Sequence, residues 1–264
     1  MNNLRDYEKG KNSIDSALDL YPENSDAIQR RCELEFLKGK PLESIRLAEK
    51  NSIKNLRFWG LSYGKDFFKI YCYLHMGNFQ KATGIAKSPI ITSNSLEYYL
   101  KGVIALFSGS YSSAAANLRE GLEKLPGPYT LAELRLFYSR AALLSEKDPR
   151  ETSFFFEDLV NNSLTYSHQA EISVAYFKAK EKKHQEAEEQ AKSAFEKVLK
   201  ISVGDFDTRL WLFYDAYVYG KTMEMVGNTE EAVRGYRECV RANPHTDLAK
   251  RSEKALKNLM KTAE

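Results

Sequence analysis

The sequence predicts an all-α protein assembled from paired helices, and three observations predict it. Apolar residues recur at helical spacing in segments of about 12–20 residues, and Gly, Pro or Asn separates one segment from the next. Runs that alternate apolar and polar with period two are scarce, so no sheet is expected. The third observation is arithmetic. Gly102, Gly109, Ala114 and Pro126 recur as Gly220, Gly227, Ala232 and Pro244, each 118 residues later. Four residue types at four identical offsets mark a repeated unit of two short helices pressed together and then stopped.

Each element follows from local signals. The first helix covers residues 4–20, with Leu4, Tyr7, Ile14, Ala17, Leu18 and Leu20 on one face. Tyr21-Pro22 ends it, because proline disfavours helix in the residue before it. Asn24 or Ser25 caps the second helix, which runs to about Lys38 and stops at Gly39. Pro41 suits a first helical turn, and residues 42–50 form a short helix with Ile45 and Ala48 inward. Residues 51–58 connect. Trp59 to Met76 is an aromatic-rich helix, Gly77-Asn78 turns it into a helix through Lys87, and Pro89 closes that pair. Ser93–Ser108 and Tyr111–Leu125 are split by Gly109. Thr130–Ser145 with Pro149–Asn161 follow, then Tyr166–Lys180 with His184–Lys200. Residues 201–205 lead into the pair that ends at Pro244, and Asp247–Met260 is a single terminal helix. The expectation is about fourteen helices.

The chain has 264 residues, 43% hydrophobic and 28% charged, a globular profile. Its 39 basic and 36 acidic residues leave a formal net charge of +3, which argues against nucleic-acid binding through bulk charge. Cys32, Cys72 and Cys239 are far apart and form no CxxC pair, so they are expected to be small buried apolar residues, and a reducing compartment is favoured. No run long and apolar enough to cross a membrane occurs, and the N-terminus lacks a signal-peptide core. A cytoplasmic protein is expected, or a periplasmic or membrane-anchored one if a segment upstream of Met1 has been removed.

The spacing inside the repeat resembles the tetratricopeptide repeat, a helix–turn–helix unit of 34 residues. The resemblance is strongest at 95–128 and 213–246 and degenerate at 23–56 and 129–162. It implies an all-α, right-handed superhelical solenoid of six to seven antiparallel helix pairs, one domain over residues 1–264, with 247–260 as capping helix. It also implies that Gly102, Ala175 and Gly220 sit where paired helices cross, packed by Ala82, Ala114, Ala187 and Ala232, with Pro22, Pro126 and Pro244 closing units. A side chain no larger than alanine at a crossing lets helix axes approach at the short end of the usual ~8–10 Å. Residues 4–22 look like the second helix of a unit without its first, so either a helix precedes them or they cap the stack unaided. The last helix has Leu248, Ala255, Leu256 and Leu259 on one side and lysines elsewhere, as a terminal cap needs.

No catalytic constellation is present. His75, His168, His184 and His245 show no metal-ligand spacing, and neither a nucleophile elbow nor a glycine-rich phosphate loop occurs. The GDFD at 204–207 reads as a turn and helix cap, and the mixed charges of 181–197 as a solvated face. No enzyme activity, cofactor or metal is expected.

The resemblance further implies that the first helix of each pair lines a concave groove. The positions that carry over are Phe67, Tyr71, Tyr99, Phe107, Phe137, Arg140, Tyr176, Lys180, Tyr217 and Lys221. Their rings are candidate anchors for a partner, and Arg140, Lys180 and Lys221 candidate guides for acidic groups. An aromatic stripe at helical spacing also describes a core, and the chain's own N- or C-terminal helix is a further candidate occupant. A lysine–asparagine clamp for a C-terminal carboxylate is not expected, because Tyr71, Val103, Tyr176 and Lys221 occupy its positions. The sequence thus points to a non-catalytic scaffold or adaptor that binds another protein or peptide by apolar anchors, without nucleic acid or membrane insertion. The alternatives are a structural subunit of a larger, envelope-associated assembly, a self-associating oligomer, or a regulatory helical domain of a longer protein.

Overall fold

In a computed structural model, which describes residues 2–50, 64–88, 96–124, 128–146, 149–163 and 165–261, the described residues form fourteen helices and no strand. Helix α1 (Asn2–Leu20) stands alone. Six pairs follow: α2 (Ser25–Leu37) with α3 (Pro41–Lys50), α4 (Gly64–His75) with α5 (Phe79–Ala86), α6 (Leu96–Phe107) with α7 (Tyr111–Lys124), α8 (Pro128–Leu144) with α9 (Pro149–Asn162), α10 (Ser167–Lys180) with α11 (His184–Ile201), and α12 (Phe206–Val226) with α13 (Thr229–Ala242). Helix α14 (Asp247–Lys261) ends the chain. Every helix packs on the next one along the chain, the signature of a stack. The expected connector at 51–58, the start of a helix at Trp59, Pro89 and Pro126 lie outside the described residues.

Each pair reverses through one residue in the left-handed region. Four are glycines, Gly39, Gly77, Gly109 and Gly227, with φ between 71° and 84°. The other two are Glu146 (φ 56°) and Lys182 (φ 64°). A side chain there costs roughly 1–2 kcal/mol, so these two turns are held by the packing of the helices they join. After Gly77 and Gly227 the next residue caps the following helix. The Asn78 side chain accepts from the Lys81 N–H and Asn228 from the Glu231 N–H.

The repeated small residues are where helices touch. A Cβ on Gly220 would lie 2.8 Å from the Tyr236 ring, and one on Gly102 would lie 2.4 Å from Leu118 Cγ. Tyr236 and Leu118 are themselves 118 residues apart, so the two units match in both partners of the contact. Gly235, on the facing side, would meet the backbone of Gly220 at 2.7 Å, so α12 and α13 are in backbone contact. Ala82, Ala114, Ala187 and Ala232 are completely buried. The terminal helix α14 covers the last pair by burying Leu248, Ala249 and Ser252.

Helix α12 sets the architecture. It has 21 residues, about 31 Å of helix, and is buried on nearly every side, from Phe206 to Met223. A helix that is apolar all round belongs inside a protein. One side packs on α13. The other runs along the first helices of the earlier pairs. Phe206 meets Phe36 of α2 and Phe68 of α4 at centroid distances of 4.6 and 5.3 Å. Trp211 meets Phe107 of α6 and Phe137 of α8 at 4.8 and 4.3 Å, and Phe213 meets Phe107 at 5.0 Å. The stack therefore curves around the first helix of its own last pair. Two long-range bonds tie the ends to the middle. Tyr7 donates to the Val203 carbonyl at 2.9 Å, and Tyr111 donates to Asp247 Oδ2 at 3.0 Å.

Cys32, Cys72 and Cys239 are buried and unpaired with one another, and burial pushes the thiols of Cys32 and Cys239 up to about 12. They behave as small apolar residues. Among the described residues no helix is long and apolar enough to cross a membrane.

Candidate functional site

The ten residues expected to line an open groove divide into two groups. Phe67, Tyr71, Tyr99, Phe107, Phe137 and Arg140 are buried, none more than 6% exposed. For these six the expectation of a partner-binding surface is corrected: they are core, because the N-terminal two-thirds of α12 occupies the concave side they line. Tyr176, Lys180, Tyr217 and Lys221 remain at the surface, half-buried or exposed.

The buried group holds two polar arrangements. Arg140 and Asp215 are both fully buried and bonded, Nη2 to Oδ1, at 2.7 Å. The Arg140 guanidinium also lies 4.6 Å from the Tyr214 ring, 5.3 Å from Trp211 and 5.8 Å from Phe137, so ring faces surround it. Burial pushes the Asp215 carboxyl up to about 6, against the pull of Arg140. The second arrangement is a chain of hydroxyls. Tyr71 and Tyr99 share a hydrogen bond of 2.5 Å, and Tyr99 donates to Glu133 Oε1. Both phenols are pushed well above their ordinary range by burial and by the Glu133 charge, so they act as neutral donors. His75 packs 4.8 Å from Phe36, and burial, with Arg209 and His245 nearby, brings its imidazole down to about 4, so it is neutral at pH 7.

The surface group sits on α10 and α12, which are in contact, and Tyr217 and Lys221 are where the burial of α12 is interrupted. Lys180 Nζ lies 5.0 Å from the Tyr176 ring, and Tyr217 lies 6.1 Å from the Tyr236 ring. Lys221 bonds Glu224 at 2.9 Å, and Tyr236 donates to the same Glu224 oxygen at 2.5 Å. Burial works against the Lys221 charge, but Glu224 more than offsets it and raises its pKa. Lys180 makes no ion pair among the described residues. The patch thus offers two half-exposed rings and two cations on one face.

Three residues that matter here were not picked out from the sequence: Phe206, Trp211 and Asp215. A signal existed for all three. The run FDTRLWLFYDAYVYG at 206–220 has no polar face, which means burial on both sides. The resemblance places Glu133 on a groove position beside Phe137 and Arg140, but its pairing with Tyr99, 34 residues away, has no local signal.

No protein-family model matches the chain, and no curated protein sequence matches it. Among solved structures, the chain is similar to a chain in the structure of Naa15/Naa10 bound to HypK-THB, with a TM-score of 0.31 and 14% identity. The match covers 96% of this chain and spans 37% of the length of that one.

Proposed function

We propose that the protein is a non-catalytic scaffold that holds a partner protein on the face of Tyr176, Lys180, Tyr217 and Lys221. The observation that supports this reading is the division of the aromatic stripe. Its first part is used up by α12, and its last part is left at the surface with two lysines beside the rings. Tyr rings offer large contact area at low entropic cost, and the lysines favour a segment that carries an acidic group next to an apolar anchor. An acidic, aromatic segment of another protein fits both features.

The test compares two substitutions on the same stripe. Tyr176→Ala combined with Lys221→Glu should weaken capture of the partner at least tenfold, about 1.4 kcal/mol, with helicity and melting temperature near wild type. Tyr99→Ala should instead lower the melting temperature, because Tyr99 is core. Partners are found by co-purification with quantitative mass spectrometry, and affinity is then measured on the segment identified. Wild-type affinity in the Tyr176/Lys221 variant would show that this face is not the binding surface.

A further inference from the structure

At the opposite end of α12 from the lysine patch, the structure gathers negative charge. Asp205 caps the helix by accepting from the Thr208 N–H at 2.9 Å, and Asp207 stands in its first turn. Glu133 of α8 and Gln169 of α10 face them across a cavity of about 30 Å³, floored by Phe137 and Trp211. Capping and the helix dipole account for the two aspartates. They account for neither Glu133, whose Oε1 accepts from Tyr99, nor Gln169. Gln169 is 5% exposed and its Oε1 is buried without a hydrogen-bond partner, on the cavity wall. A buried carbonyl oxygen left unbonded forfeits the hydrogen bond it would make in water, which is unfavourable unless something is bound there. The nearby cations are engaged elsewhere. Arg140 is bonded to Asp215, and Arg30, whose side chain is 70% exposed, pairs with Glu33 at 2.8 Å.

We propose that this cleft is a binding site for a primary ammonium group, held by Glu133, Asp205, Asp207 and the Gln169 carbonyl. The volume suits one ammonium head, since a water needs about 10–15 Å³ of such space. An ammonium has three donors to distribute among separated oxygens, and its methylene stem leaves by the mouth, where Asp207 reaches solvent. The charge balance agrees. The half-charge at the helix N-terminus is outweighed by three carboxylates.

The site is independent of the partner face proposed above. Its test uses the full chain with Trp59→Phe, which leaves Trp211 in the cavity wall as sole tryptophan. Methylammonium, spermidine and N-acetyl-lysine methylamide are titrated against Trp211 emission, with tetramethylammonium and potassium chloride as controls at equal ionic strength. The expected result is a saturable change with the primary amines and none with the controls, weakened at least tenfold by Glu133→Gln and by Asp207→Asn. Tighter binding of spermidine would assign a free polyamine, and tighter binding of the lysine derivative a lysine side chain of a partner. An equal response to tetramethylammonium, unchanged affinity in the variants, or no saturable response to any amine would overturn the proposal and leave the cavity to water. Should Glu133→Gln fail to fold, Asp207→Asn, at the exposed mouth, decides alone.

Discussion

Replacing Asp215 with leucine should lower stability by about 3–5 kcal/mol, the range for breaking a buried ion pair from one side. Arg140 has no exposure and cannot shed its charge, so losing its one carboxylate leaves a cation sealed among rings. The reverse change should cost less. With Arg140→Met, Asp215 can take up a proton, and its carboxyl already lies near 6 in the folded chain. About 1–3 kcal/mol is expected from the lost hydrogen bond and packing. The double variant, Arg140→Met with Asp215→Leu, should return to within about 1 kcal/mol of wild type or exceed it, because an apolar pair of similar volume replaces the ions. Denaturant unfolding of all four proteins gives the coupling directly. The pair also predicts a pH difference. A carboxyl raised from about 4 to about 6 binds its proton more tightly in the folded state. Its contribution is therefore greatest below pH 4 and is lost as pH rises through 6. Wild type should lose stability over that interval relative to the double variant, which has no such group.

Trp211→Ala should cost about 3–5 kcal/mol, as expected for a buried aromatic cut back to a methyl. Trp211 is 3% exposed and touches the rings of Phe107 and Phe137, so its loss opens a void between α12 and two earlier pairs. Phe154→Ala is the matched control. Phe154 is 64% exposed, and its loss should change stability by no more than about 0.5 kcal/mol. The denaturation midpoint is the readout, and an unchanged slope would show that the folded chain stays compact. A small effect of Trp211→Ala would mean that α12 is not packed in the groove as described.

Much of the architecture was legible because it depends on local rules. Gly220 against Tyr236, Gly109 and Gly227 at left-handed turns, and Asn24 as a cap are each dictated within one helix pair. The pair whose turn is at Glu146 lacked such punctuation, and there the repeat was weak. The groove was not legible for a different reason. Phe67, Tyr99, Phe107 and Phe137 present the same apolar stripe whether a partner or the chain itself lies against it. Their burial is decided by where Phe206, Trp211 and Phe213 arrive from more than 65 residues away in sequence, at the end of a path that no local pattern encodes. Asp215 was hidden for the same reason, since its meaning appears only beside Arg140, 75 residues earlier.

With α12 a fixed part of the core, the proposed partner binding is confined to the face that Tyr217 and Lys221 share with α10. Native-state hydrogen exchange tests this most directly, since core helices exchange only when the whole structure opens. Amides of residues 210–220 should be as protected as those of 232–239 in α13, at the free energy of global unfolding, with and without a bound partner. Exchange in 210–220 at least a hundredfold faster than in α13, or rising when a partner binds, would show that α12 leaves the groove and would contradict the account.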